Sequence, residues 1–371
     1  MGGKKLRIAI LGTRGLPPHY GGRETAADEI GRRLAAQGHD VVVYCRNYNT
    51  SRPHPREYRG IRLVHLPSVR SKNLDTPFHL ALSILHFLLR ERSEIVVLSG
   101  SGTAFAIPIL HLFGHKTVMW VDGKAWTRGK WGALARSYLR RSAMYGVRHS
   151  DAIVTDTPPA HRFYLEEMGR DTTYIPYGAN LEDVKGTDTL DRLGLTPRDY
   201  ILFVGRLVPE KGVQYLIEAF EQLETQRRLV IVGDDPYNPR FVDELRATRD
   251  PRILFTGYVF GEGFQQLMRH CRIYVQPSEV EGTSPVLLTA MAYGRPVVVN
   301  GIPENLHTIG DAGFAFPPGD VKVLRDLLEG ILEDEEKLVE MGRKGVERVR
   351  SHYDWDRIAE RFEELFRSLI P

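Results

Sequence analysis

SEVEGTSPVLLTAMAYGRPVVV, residues 278–299, sets Glu281 and three small residues, Gly282, Thr283 and Ser284, directly before Pro285 and the apolar run Val286-Leu287-Leu288. This is the composition of a loop turning into a helix, with proline near the first helical position and backbone N–H groups facing outward. Such an end attracts phosphate, because the unpaired donors and the positive end of the helix dipole act in the same direction. A second stretch, VGRLVPEKG at residues 204–212, ends the β-branched and aromatic run Tyr200–Val204 at Gly205 and then presents Arg206 and Lys211. Two cations beyond a strand end can clamp the far side of the same diphosphate. Either loop alone reads equally as a packing turn; the two together favour a nucleotide-diphosphate site.

EGTSPVLLTAMAYGRPVV resembles the block E-G-x-x-x-x-L-L-E-A-M-A-x-G-x-P-V-V of the family 4 glycosyltransferases, and VGRLVPEKG resembles their G-R-x-x-x-x-K-G motif. The resemblance implies an α/β protein of GT-B fold: two Rossmann-like doubly wound domains facing across a cleft, with a C-terminal helix crossing back to the first. It implies an acceptor-side domain over residues 1–178, joined by the helix 354–371, and a donor-binding domain over 179–353. On that pattern Arg206, Lys211, Gly282, Thr283 and Ser284 hold the donor diphosphate, with Gly21 and Gly22 approaching it, while Gly205 and Thr289 flank the nucleotide. Glu281 becomes a catalytic residue that grips hydroxyls of the transferred sugar; its ordinary alternative is a helix cap. The family carries a second glutamate, which holds the ribose, where this chain has Thr289. Threonine supplies one hydroxyl where glutamate supplies two acceptor oxygens, so a deoxyribose donor such as dTDP-rhamnose asks less of that position.

A chain of 371 residues suits two α/β domains, and a formal charge of +3 is too slight to argue for nucleic acid. Two cysteines, Cys45 and Cys271, make no disulfide framework and read as small buried thiols in a reducing compartment. Residues 6–11 are too short for the apolar core of a signal peptide. The most apolar stretch, 77–89, falls short of a bilayer span and reads as a buried helix. The expectation is a cytoplasmic protein, at most peripheral to the inner face of a membrane.

In chain order, residues 6–11 read as a buried strand ending at Gly12, followed by a Gly/Pro loop and a helix carrying Ile30 and Leu34. Within that loop G-T-R-G-L-P and Y-G-G-x-E resemble the rhamnosyltransferase-type branch, which implies acceptor contacts from Arg14, Gly15 and Tyr20. A plain turn, with Glu24 favouring the first helical turn through the dipole, is the alternative. Residues 40–44, 94–99 and Lys116–Val121 read as strands, and 46–62 as either a solvated arginine-rich loop or a basic rim beside the acceptor.

After the strand at 116–121, D-G-x-x-W-x-R-x-K-W again resembles that branch, implying a catalytic Asp122 and acceptor contacts from Trp126, Arg128 and Lys130. An Asp turn or N-cap is the competing account of Asp122. Between Gly123 and Ser150 stand Lys124, Arg128, Lys130, Arg136, Arg140, Arg141 and Arg148, with no acid and several aromatics. This is either a face for an anionic bilayer or a solvated arginine face on a core helix. Residues 150–155 close the first sheet, and 173–180 read as a linker.

A second strand and helix alternation starts at Tyr200, with further strands at 228–232, 253–256, 273–276 and 296–300 and a helix at 213–223. Gly233-Asp234-Asp235-Pro236 reads as a turn rather than a metal pair, and 354–369 as an amphipathic helix. No cofactor or catalytic metal is expected. The reaction implied is transfer of a hexose, rhamnose among the candidates, from a nucleotide-diphosphate sugar to a hydroxyl of a glycan or lipid-linked sugar. Family 4 enzymes retain anomeric configuration. A sugar-nucleotide epimerase and a non-catalytic nucleotide-sugar binding protein of the same fold stay open.

Overall fold

The computed structural model describes residues 4–18, 21–50, 52–71, 74–121, 126, 132–180 and 184–370. The chain forms two units, Met1–Tyr177 with Trp355–Pro371, and Gly178–Asp354. Unit 1 holds strands β1 (Arg7–Leu11), β2 (Asp40–Arg46), β3 (Glu57–Tyr58), β4 (Ile61–Leu66), β5 (Ile95–Ser99), β6 (Lys116–Val121), β7 (Ala152–Thr155) and β8 (Thr173–Tyr174). They lie in the order β3-β4-β2-β1-β5-β6-β7-β8, and all pairs are parallel except β3 with β4. Unit 2 holds β9 (Tyr200–Val204), β10 (Arg228–Val232), β11 (Ile253–Gly257), β12 (Ile273–Gln276), β13 (Val297–Asn300) and β14 (Phe314–Phe316) in a parallel sheet, β11-β10-β9-β12-β13-β14.

The near-continuous apolar runs are strands because helices cover both faces of a parallel sheet, leaving no solvent face for polar alternation. In unit 2 Ile201, Phe203, Leu229, Ile231 and Val275 pack against Leu216 and Phe220 of the helix Val213–Glu221. Each such side chain contributes about 1.5–3 kcal/mol relative to exposure. In each sheet one strand separates two directions of winding: β1 lies between β2 and β5, and β9 between β10 and β12. Open α/β sheets bind ligands at the carboxyl ends of such strands.

Four expectations need correction. The stretch 46–62 is not simply a loop: it contains β3 and runs into β4, and Arg46, Arg59 and Arg62 are ion-paired, while Arg52 and Arg56 are exposed. Arg46 reaches Asp75 at 2.7 Å, Arg59 reaches Asp28 at 2.9 Å, and Arg62 spans Asp40 at 2.9 Å and Glu91 at 2.8 Å. The first sheet does not close at Thr155, because β8, inside the supposed linker, adds an edge strand. The stretch 77–89 is part of the helix Asp75–Arg90 but is not wholly buried: Leu80, Ile84 and Phe87 face the core while Leu85 is 57% and Leu89 71% exposed. Glu24 does more than favour a helix dipole, as described below.

The C-terminal helix Trp355–Ser368 belongs to unit 1 and turns Trp355, Ile358, Phe362 and Phe366 inward. Phe362 meets Trp120 of β6 edge-on at 5.3 Å, and Asp356 pairs with Arg33 of the helix Gly22–Ala36. Cys45 and Cys271 are buried free thiols, each pushed up to about 12 by burial. Among the described residues no helix is long and apolar enough to cross a membrane. The basic segment contains the helix Ala133–His149, on which Arg136, Arg140, Arg141 and Arg148 are exposed, together with Leu134 and Tyr145.

Candidate functional site

In unit 2 the loops after β9 and β12 meet. Gly212 has φ 68, and a Cβ there would lie 2.1 Å from the Pro277 carbonyl oxygen, so the two backbones touch where only glycine fits. The Glu279 N–H donates to the Glu210 carbonyl at 3.0 Å, and the Tyr215 hydroxyl donates to Glu279 Oε1 at 2.8 Å. Across this seam Lys211 Nζ contacts Glu281 Oε1 in a charge-assisted pair, the two side chains 21% and 10% exposed. Arg206, half-buried on the same loop, pairs with no carboxylate among the described residues. Gly205 is pressed against Gly233, whose added Cβ would fall 1.8 Å from the Gly205 carbonyl oxygen.

The second loop ends at the helix Pro285–Ala292, with Ser284 as N-cap and proline in the first turn. Ser284 Oγ accepts from the Leu287 N–H at 3.4 Å and donates to Gln276 Oε1 at 2.7 Å. Gln276 Nε2 donates to Asn305 Oδ1 at 2.9 Å, and Asn305 Nδ2 to the Asn300 carbonyl at 3.0 Å. The Tyr274 hydroxyl also donates to Gln276 Oε1, at 3.3 Å; burial, reinforced by the Glu281 charge, holds it far above its ordinary range and therefore neutral. A buried chain of hydrogen bonds from Ser284 through Gln276 and Asn305 to the Asn300 carbonyl rigidifies what it touches, and here it touches the cap of the helix and the floor of the turn.

Sequence reading missed this chain. Its signal is a pair of apolar strands, β12 and β13, each ending in a buried amide, Gln276 and Asn300. Replacing Gln276 by leucine strands the Ser284 and Asn305 partners and is expected to destabilise by about 1–3 kcal/mol, with weaker nucleotide binding. A thermal melt and a nucleotide titration check both; no change in either would mean the chain has no hold on the turn.

The loop of Gly205, Arg206 and Lys211 thus meets the loop of Glu281, Gly282, Thr283 and Ser284 through Lys211 with Glu281 and Gly212 with Pro277. Thr289 is half-buried on the second helical turn, and its hydroxyl donates to the Pro285 carbonyl at 2.8 Å. Asp234 and Asp235 serve their own turn: Asp234 Oδ1 accepts the Asp235 N–H at 2.8 Å and Asp235 Oδ1 the Tyr237 N–H at 3.2 Å. Among the described residues no group of three or more His, Cys, Asp or Glu is placed to hold a metal ion.

In unit 1, Gly21 is the N-cap of the helix that Gly22 begins. Glu24 of that helix is buried, and its Oε1 accepts the Arg14 N–H at 2.9 Å, which corrects the dipole reading: the carboxylate ties the glycine loop to the helix. The Arg14 carbonyl accepts the Arg46 N–H at 3.0 Å, and Arg14 is exposed. Gly15 abuts Cys45, whose Cβ would lie 2.5 Å from an added Cβ. Trp126 packs on Phe163, ring centroids 5.9 Å apart. Tyr20, Asp122, Arg128 and Lys130 lie outside the described residues.

Residues 21–178 match the family described as glycosyl transferase 4-like domain, and residues 198–334 match glycosyl transferases group 1. The alpha-D-kanosaminyltransferase of Streptomyces kanamyceticus is 29% identical over 195 residues, 50% of each chain, so this chain spans about half the length of that relative. The structure of Anabaena HepE in complex with UDP-glucose shares the fold, with a TM-score of 0.80 at 19% identity over 98% of this chain and 100% of that one. The sulfoquinovosyl transferase of Arabidopsis thaliana is 32% identical over 380 residues, 95% of this chain and 71% of that one. Two α/β units, each matched by a glycosyltransferase family and both spanned by such a relative, mean that this chain belongs to the group 1, family 4-like glycosyltransferases of GT-B fold.

Proposed function

We propose that this chain transfers a hexosyl group from a nucleotide-diphosphate sugar to a hydroxyl of a glycan or lipid-linked sugar, with retention of configuration and without a metal ion. The observation that carries the reading is the seam in unit 2, where Lys211, on the loop that also carries Arg206, contacts Glu281 directly before the turn of Gly282, Thr283 and Ser284 that starts a helix. In the reaction the bond from the anomeric carbon to the donor phosphate breaks, charge collects on the diphosphate, and the acceptor oxygen bonds to the same carbon. The acceptor proton passes to the departing phosphate. Fixed cations and amides at that phosphate lower the barrier, each by a few kcal/mol in a dry site. Glu281 grips sugar hydroxyls and its charge favours the cationic carbon, while Asp122 orients sugar and acceptor.

Thr289 spends its one donor on Pro285, which suits a deoxyribose donor, and a dTDP-activated sugar such as dTDP-rhamnose is the reading we favour. The exposed arginines of the helix Ala133–His149 support contact with an anionic inner-membrane surface, each worth about 1 kcal/mol near it, where a lipid-linked acceptor would reside. The relatives named above transfer sugars, and HepE is seen with UDP-glucose, in line with a nucleotide-sugar donor. The test is to incubate the protein with dTDP-, UDP- and GDP-sugars in EDTA, with and without membrane-derived glycan acceptor. Nucleoside diphosphate release is expected only with acceptor present, and most strongly from a dTDP-sugar. Conversion of the donor without acceptor would replace this reading with an epimerase.

A further inference from the structure

Unit 2 contains a cavity of about 240 Å³ that the reaction above does not use, lined by Arg198, Arg272, Arg295 and Arg343 with Glu335 as its one carboxylate. Its position is set by the sheet. Arg198 stands just before β9, Arg272 directly before β12 and Arg295 just before β13, at the amino ends of parallel strands whose carboxyl ends carry the donor loops. The helix Pro285–Ala292 runs from one to the other: Ser284 caps it at the donor turn, and Gly294 and Arg295, past its far end, line the cavity. Eight residues of helix separate the two by about 12 Å.

Buried charges are normally paired, because desolvating an isolated ion is costly. Arg295 is 9% exposed, yet its hydrogen bonds go to carbonyls, Tyr293 at 3.0 Å and Cys271 at 3.5 Å, and no carboxylate among the described residues pairs with it. Burial, with the like charges of Arg198 and Arg269, holds its guanidinium down to about 10, and His270 is lowered by burial and by Arg269, Arg295 and Arg198. Both groups therefore lie among like charges, although Arg343, at the basin's rim, is met by Glu347 at 3.4 Å. Arg198 enters this field from a left-handed backbone position, φ 66, which an arginine adopts only at a cost. Glu335, 67% exposed, is engaged by Arg272 at 3.1 Å and leaves Arg198 and Arg295 unanswered.

We propose that this basin is an anion site, separate from the donor loops, that takes the phosphate or diphosphate group of a small phosphorylated molecule. Planar guanidinium forks suit phosphate oxygens in pairs. The volume falls below the roughly 300–1,000 Å³ of pockets for larger ligands, which favours a phosphate ester or pyrophosphate over a nucleotide sugar.

The test uses calorimetric titration of inorganic pyrophosphate at constant chloride into the Arg206→Ala/Lys211→Ala protein, in which the donor loops are disabled. One site per chain is expected. Adding Arg198→Gln and Arg343→Gln, both solvent-accessible, should weaken binding at least tenfold with an unchanged melting temperature, since charge-assisted contacts dominate. Glu335→Gln should tighten it by about threefold, a gain that a purely structural role for the arginines would not produce. Absence of binding, or binding indifferent to Arg198→Gln and Arg343→Gln, would overturn the proposal without touching the transferase reading, which does not depend on this basin.

Discussion

Lys211→Ala is expected to lower kcat/KM for sugar transfer by about 10²–10³, the scale on which loss of one fixed donor to a developing oxyanion is felt. Two effects act in the same direction. On the mechanism proposed, the ammonium that would neutralise the departing diphosphate is gone, and Glu281, its side chain 10% exposed and paired with Lys211, is left as a partnerless carboxylate. Stranding one member of a buried pair also destabilises, so activity alone would not separate chemistry from folding. The double variant Lys211→Ala/Glu281→Gln separates them, because it removes the stranded charge and should recover the melting temperature while transfer stays lost. A single variant that keeps more than a tenth of wild-type kcat/KM in a nucleotide-release assay would remove Lys211 from the mechanism.

A large structural effect is expected at Gly212. An alanine there meets the Pro277 carbonyl oxygen at 2.1 Å, backbone against backbone, so no rotamer change relieves the contact, and φ is 68 besides. The left-handed conformation alone costs about 1–2 kcal/mol; with the collision, Gly212→Ala should cost about 3 kcal/mol or more. For a unit of this size that is roughly 6–12 °C of melting temperature. The seam must open to admit the methyl group, so nucleotide affinity should fall at least tenfold as well. Gly261→Ala is the control: φ is 59 but nothing lies within 4 Å of its Cβ, so it should bear only the conformational cost and bind nucleotide normally. Equal behaviour of the two variants in melts and titrations would show that loop contact does not shape the site.

The two sheets and the candidate donor loops are legible along the chain for one reason. Strands buried on both faces appear as apolar runs, and the loops at their carboxyl ends carry composition suited to phosphate, so Arg206, Lys211 and Gly282, Thr283 and Ser284 announce themselves locally. β4 is hidden because its lead-in is dense in Arg and Pro, and three of those cations, Arg46, Arg59 and Arg62, find partners only when Asp28, Asp40, Asp75 and Glu91 arrive from other elements. Glu24 is hidden in the same way, since a carboxylate in a first helical turn looks like a dipole partner until a loop amide is seen on it.

The order of elements, the parallel sheets and the chemistry of the two donor loops follow from residue type and spacing, because burial and turn geometry act on neighbours in the chain. Three things needed the folded molecule: the Lys211–Glu281 contact, the amide chain from Ser284 through Gln276 to Asn305, and the arginine basin at the opposite end of the sheet. Each joins residues from different strand ends. Only close packing in three dimensions sets which charges meet an opposite charge and which, like Arg295, meet carbonyls instead.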